Sequence, residues 1–100
     1  MLVTGSGDDG VWPSARFATE IAARLAERHY AHPVLALNYP QAGHVLRPPY
    51  LPTTATVMAN PKTPLRAALG GNAAANAAAA SDWWAKLIEF LATATEAARS

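Results

Sequence analysis

Gly5-Ser6-Gly7-Asp8-Asp9-Gly10-Val11-Trp12-Pro13-Ser14 follows the apolar run Met1-Leu2-Val3-Thr4, and Tyr39-Pro40-Gln41-Ala42-Gly43-His44 follows Val34-Leu35-Ala36-Leu37-Asn38. Both stretches have the same form: a short buried strand, then a turn that carries ionisable side chains. Between them a helix is predicted from about Ser14 to about Arg28, since Phe17, Ile21 and Leu25 recur at four-residue spacing beside Ala18 and Ala22. Arg16, Glu20 and Arg24 form a charge ladder on a different face of that helix. Strand, crossover helix and strand make a βαβ unit, with parallel strands and a right-handed connection. Neither strand alternates apolar with polar residues, as expected when helices cover both faces of a sheet. The class is α/β.

From Pro40 to Gly71 the sequence holds six of its eight prolines and no clear periodicity, which predicts a long Pro-rich loop over 40–71. Gly70-Gly71 ends it. A final helix is predicted from about residue 73 to about residue 97, with an alanine-rich start of high helix propensity. Trp84, Leu87, Ile88 and Leu91 share one face of its second half, the part expected to pack on a sheet. Order along the chain is thus β-α-β-loop-α, a single partial domain over residues 1–100. Two parallel strands leave both sheet edges open and are marginal in water. The pattern is that of a piece of a larger doubly wound sheet, incomplete as a stand-alone fold.

Composition narrows the function classes. Apolar residues make up 51% of the chain, which argues for a folded element, although alanine inflates the figure. Eight basic against seven acidic side chains give no field suited to nucleic acid or an anionic membrane. With no cysteine, neither disulfides nor thiolate metal sites can form. No apolar run approaches the roughly 20 residues of a membrane span. The N-terminus lacks signal-peptide character and Ala98-Arg99-Ser100 is not a peroxisomal ending, so a cytoplasmic location is expected.

Several residues are candidates for chemistry. Gly5-x-Gly7-x-x-Gly10 formally matches a dinucleotide fingerprint, but Asp8 and Asp9 would face the pyrophosphate and repel it. Asn38 ends the second strand with no acid nearby for a ribose hydroxyl. The plain alternative is a tight strand-to-helix turn, and no cofactor is expected. One carboxylate of the Asp8-Asp9 pair can orient a catalytic histidine; either can also sit there for the helix dipole. Too few ligands lie close for a metal. His44 lies beyond the C-terminal end of a strand, where ligands collect in open α/β sheets, whereas His29 and His32 flank the opposite end. Ser14 is expected to cap the helix rather than act as a nucleophile. Ser6 sits in no nucleophile elbow, Arg47 reads as a solvated loop arginine, and Trp83 and Trp84 cannot both face inward on one helix.

An acid and then a histidine, each after a strand, is the order of the last two triad members in an α/β-hydrolase. Gly7-Asp8-Asp9-Gly10-Val11-Trp12-Pro13-Ser14 and Ala42-Gly43-His44 followed by Pro48-Pro49-Tyr50 resemble the C-terminal domain of the acyl-CoA thioesterases and bile acid-CoA:amino acid N-acyltransferases. Gly70-Gly71 and the Asp82-Trp83-Trp84 helix fit the bacterial members, and the resemblance covers nearly the whole chain. It implies the C-terminal portion of an α/β-hydrolase, with Asp9 as catalytic acid, His44 as catalytic base and an acyl-CoA as substrate. Asp8 then has no assigned role, and Gln41 stands where Gly or Glu is common. The family's Ser or Cys nucleophile belongs to a region outside these residues, which implies a separate chain or segment carrying it. Hydrolysis is expected over N-acyl transfer to an amine, and the chain alone is expected to be inactive. The competing class is a non-catalytic fragment or an interaction module using its open strand edges.

Overall fold

The computed structural model describes residues 1–54, 57–59 and 66–99. Its elements are β1 (Leu2–Ser6), α1 (Ser14–Glu27), β2 (Leu35–Tyr39), β3 (Val57–Ala59), β4 (Arg66–Ala68) and α2 (Ala73–Arg99). β1 and β2 pair in parallel, in register from Leu2 with Leu35 to Ser6 with Tyr39. A parallel register brings the C-terminal ends of both strands to the same sheet end. The turn after Ser6 and the turn after Tyr39 therefore emerge side by side.

The helices lie on opposite faces, because neighbouring side chains of a strand point to opposite sides. On one face Gly5 leaves room for α1: a side chain there would run into Ser14 and Ala15. Asn38, opposite Gly5 in the register, donates from Nδ2 to Thr19 Oγ1 of α1 (3.3 Å). On the other face Tyr39 donates its hydroxyl hydrogen to Asp82 Oδ2 of α2 (2.7 Å), and Lys86 Nζ lies 2.8 Å from the same oxygen. Burial and the Asp82 carboxylate push the Tyr39 phenol well above its ordinary pKa. Ala18, Leu37, Ala42, Leu69, Ala79 and Ala80 form the buried apolar core.

Three expectations are corrected by these elements. The stretch over 40–71 is not loop throughout: β3 and β4 pair antiparallel, Val57 with Ala68 and Ala59 with Arg66. Strands of three residues are too short for any periodicity to register, and residues 55–56 and 60–65 of this stretch, like Ser100, lie outside the described residues. Ser14 does not cap α1. Pro13 occupies the cap position without a side-chain bond, while Ser14 Oγ accepts the Ser6 N–H (2.9 Å) and donates to the Ser6 carbonyl (3.3 Å). The hydroxyl ties the helix start to the end of β1 instead.

In α2 the buried residues are Asn76, Ala79 and Ala80, while Ile88 and Leu91 are exposed. Asn76 reaches the Gly43 N–H, and Ala75, Ala78 and Ala79 border one groove with Ala42, so this turn meets the small-residue half of the helix. In α1 only Ala18 is buried, and Phe17 and Ile21 stay exposed, because a sheet of two strands is too narrow to cover the whole stripe.

Candidate acid–histidine site

The two turns continue the strand pairing past the end of the sheet. Gly7 N–H donates to the Tyr39 carbonyl (2.8 Å), Asp8 N–H to Ala42 (3.0 Å), and Ala42 N–H closes its own turn on Tyr39 (3.2 Å). A third segment then locks both. Asp9 forms a β-bridge with Gly70, and the Leu69 carbonyl accepts from Gly10 N–H (3.0 Å) and from His44 N–H (2.8 Å). A carbonyl oxygen has two lone pairs, and here one serves the acid turn and the other the histidine turn. Leu69 is 2% exposed, so these bonds are shielded from water. Such close contact needs glycine: a side chain on Gly43 would run into the Gly70 carbonyl, and one on Gly70 (φ 77°) into that of Asp8.

Within this frame His44 Nδ1 lies 3.1 Å from each carboxylate oxygen of Asp9. The Asp9 side chain is 1% exposed and that of His44 21%. Asp9 Oδ1 also accepts backbone hydrogens from Val11 (2.8 Å) and Trp12 (3.1 Å). Burial pushes the Asp9 carboxyl pKa up, but the neighbouring Ser14 hydroxyl and the hydrogen bonds from Val11, His44 and Trp12 outweigh it and hold the value below the ordinary 3.8. At neutral pH Asp9 is an acceptor only, so the Nδ1 of a neutral His44 carries the proton and donates it. Nε2 is then the basic nitrogen. Trp12 stands edge-on to the imidazole, with ring centres 4.7 Å apart at 87°.

His44 borders an open cleft of about 420 Å³ whose walls include Thr4, Leu46, Trp83 and Leu87. Thr4 Oγ1, buried in that wall, finds no hydrogen-bond partner among the described residues. A basic nitrogen at the edge of such a cleft can take a proton from a group entering it.

Of the sequence candidates, the fold brings Asp9 and His44 together and leaves the others apart. Asp8 turns its Oδ2 to the Gly71 N–H (2.8 Å) and does not meet the imidazole. His32 packs edge-on to Tyr30 (5.4 Å) and His29 is exposed, both in the connection that enters β2. The space that Gly5, Gly7 and Gly10 leave open is taken by Ser14, Pro40 and Ala68 of the chain itself, as a tight turn requires. Trp83 lines the cleft, while Trp84 contacts it at 5.9 Å and 55°. Two contributors escaped the sequence reading. A backbone carbonyl such as Leu69 leaves no mark in a sequence. Asn76 leaves one faint mark: it is a polar residue inside an alanine tract, and it accepts the Gly43 N–H (2.8 Å).

Comparison with known proteins gives two matches. The family described as BAAT / acyl-CoA thioester hydrolase C terminal matches residues 1–97. A Mus musculus protein named acyl-coenzyme A thioesterase 2, mitochondrial, is 35% identical over 83 residues, which are 83% of this chain and 18% of the mouse protein. The chain therefore spans under a fifth of the length of that relative. No solved structure matches it.

Proposed function

The chain belongs to the BAAT / acyl-CoA thioester hydrolase C-terminal family, and from that premise we propose that it supplies the acid and the histidine of a thioesterase triad, acting on an acyl-CoA. Its α/β arrangement is that of the C-terminal portion of an α/β-hydrolase. The observation that carries the proposal is the contact of His44 Nδ1 with both oxygens of a buried, ionised Asp9 (3.1 Å each).

The chemistry follows from that contact. A Ser or Cys from outside these 100 residues attacks the thioester carbonyl, and His44 Nε2 takes its proton. Asp9 keeps Nδ1–H oriented and stabilises the imidazolium that results. The tetrahedral intermediate collapses, the C–S bond breaks, and His44 returns the proton to the departing CoA thiolate. A water molecule then gives its proton to Nε2 and attacks the acyl-enzyme. The free acid leaves and the nucleophile recovers its proton from His44. We take water as the acceptor; an amine in its place would give N-acyl transfer from the same acyl-enzyme.

Partner and compartment belong to the same proposal. The nucleophile comes from a separate segment or chain seated against the cleft. The cytoplasm is kept as the location, although the mouse relative's name carries a mitochondrial designation; subcellular fractionation decides this. Among the described residues no helix is long and apolar enough to cross a membrane.

Release of free CoA thiol from an acyl-CoA tests the function. The purified 100-residue chain is expected to release none, and a protein joining it to a nucleophile-bearing segment is expected to turn over. Turnover by the chain alone, abolished by His44→Ala, would overturn the need for an external nucleophile. A joined protein that folds and binds acyl-CoA without cleaving it would favour the non-catalytic class. An N-acylated amine as the main product would replace hydrolysis by acyl transfer.

A further inference from the structure

Asn76 is 5% exposed and sits in a run where residues 73–80 are otherwise all alanine. A buried amide is tolerated when both of its ends are paired, and here they are. Oδ1 accepts the Gly43 N–H (2.8 Å) and Nδ2 donates to the Thr53 carbonyl (3.3 Å). A backbone N–H can only donate and a backbone carbonyl only accept, so these partners fix the orientation of the amide. Gly71, at φ 73°, provides the space: a side chain there would run into Asn76 Oδ1.

Gly43 immediately precedes His44, whose own N–H is held by the Leu69 carbonyl (2.8 Å). Two consecutive amides are thus fixed from two directions, one by α2 and one by the Leu69 segment. Thr53 lies on the stretch that leaves the histidine, so a single side chain grips the chain on both sides of His44.

We propose that Asn76 is a positioning residue, which fixes the Gly43–His44 backbone so that the imidazole stays on Asp9 in one tautomer. It touches no reacting atom and acts only through His44. The proposal rests on the Asp9–His44 pair being the acid–base pair, and the experiment separates the two ideas.

The readouts are the ring ¹⁵N signals of His44, which report its tautomer, and amide hydrogen exchange at Gly43, both measured on the full chain at one fixed, mildly alkaline pH. Asn76→Ala is expected to speed Gly43 exchange about tenfold, as for loss of one hydrogen bond, and to turn a single Nδ1–H tautomer into a mixture. Asn76→Asp keeps an acceptor toward Gly43 and replaces the donor to Thr53 by a buried carboxylate oxygen, which costs overall stability but leaves the Gly43 bond in place, so in the folded variant Gly43 protection and the single tautomer are expected to persist. If Asn76→Ala does not fold, Asn76→Asp decides alone: protection at Gly43 with a mixed His44 tautomer overturns the proposal. A folded Asn76→Ala that frees Gly43 and leaves the His44 tautomer unchanged overturns it equally, and Asn76 is then packing only. Asp9→Asn is the control for the pair. If it leaves the tautomer unchanged, the pairing itself fails, whatever Asn76 does.

Discussion

At the scale of single residues, Asp9 carries the most consequence. Its carboxylate is removed from water and yet held ionised by the polar groups around it, the Val11, Trp12 and His44 donors among them, so its folded pKa lies below 3.8. The sign of the resulting pH dependence follows from linkage. A carboxyl that binds its proton less readily when folded stabilises the fold at pH above its unfolded pKa and loses that contribution as pH falls through the folded value. Urea unfolding is therefore expected to show a stability decline as pH falls below about 4 that Asp9→Asn flattens. A decline of the same depth in the variant would show that other groups cause it. Thr4 gives a test of opposite sign. Its buried hydroxyl has no partner among the described residues, so the nearly isosteric Thr4→Val is expected to raise unfolding stability by about 1 kcal/mol. A loss of stability in the same denaturation experiment would mean that the hydroxyl is satisfied.

At the scale of elements, the site is a product of three chain segments rather than two. The backbones of the acid turn and the histidine turn bond directly to each other only as far as Asp8; beyond it the Leu69 carbonyl holds the Gly10 and His44 amides and Gly70 bridges Asp9. Gly70→Ala places a side chain at φ 77° against the Asp8 carbonyl. The expected cost is about 1–3 kcal/mol or more, with faster amide exchange at both Gly10 and His44. Unchanged exchange at either residue would contradict a shared lock.

What the sequence revealed of these elements, and what it hid, has physical reasons. The βαβ unit was legible because Phe17, Ile21 and Leu25 declare a helix between two unbroken apolar runs, and the parallel register then sets Asp9 beside His44. β3 and β4 were not legible, since three residues carry no period. The role of Ser14 was misread because a serine before a helix looks the same whether its hydroxyl reaches forward to the helix or back to a strand. The packing half of α2 was misread for a related reason. Large apolar residues announce themselves, yet Ile88 and Leu91 stay exposed and Trp84 and Leu87 are only half-buried, while the fully buried positions of the helix are the small Asn76, Ala79 and Ala80.

At the scale of the whole molecule, the radius of gyration of 15.4 Å exceeds the roughly 13 Å of a compact 100-residue domain. The 27-residue α2 reaches about 40 Å at 1.5 Å per residue, well past a sheet whose strands have five residues. Exposed Phe17, Ile21, Ile88 and Leu91 mark apolar surface left uncovered among the described residues. The family match and the share of the mouse relative that is covered give this surface a context: it is the surface of one part of an α/β-hydrolase, with the acid and histidine preassembled at one end of the sheet. The measurement that tests this most directly is kcat for acyl-CoA cleavage by the joined protein, native against His44→Ala. Loss of about 10⁴–10⁶-fold, on the scale of other triads, with the fold retained is the expected result. A kcat within a few-fold of native would contradict the assignment of His44 as the base.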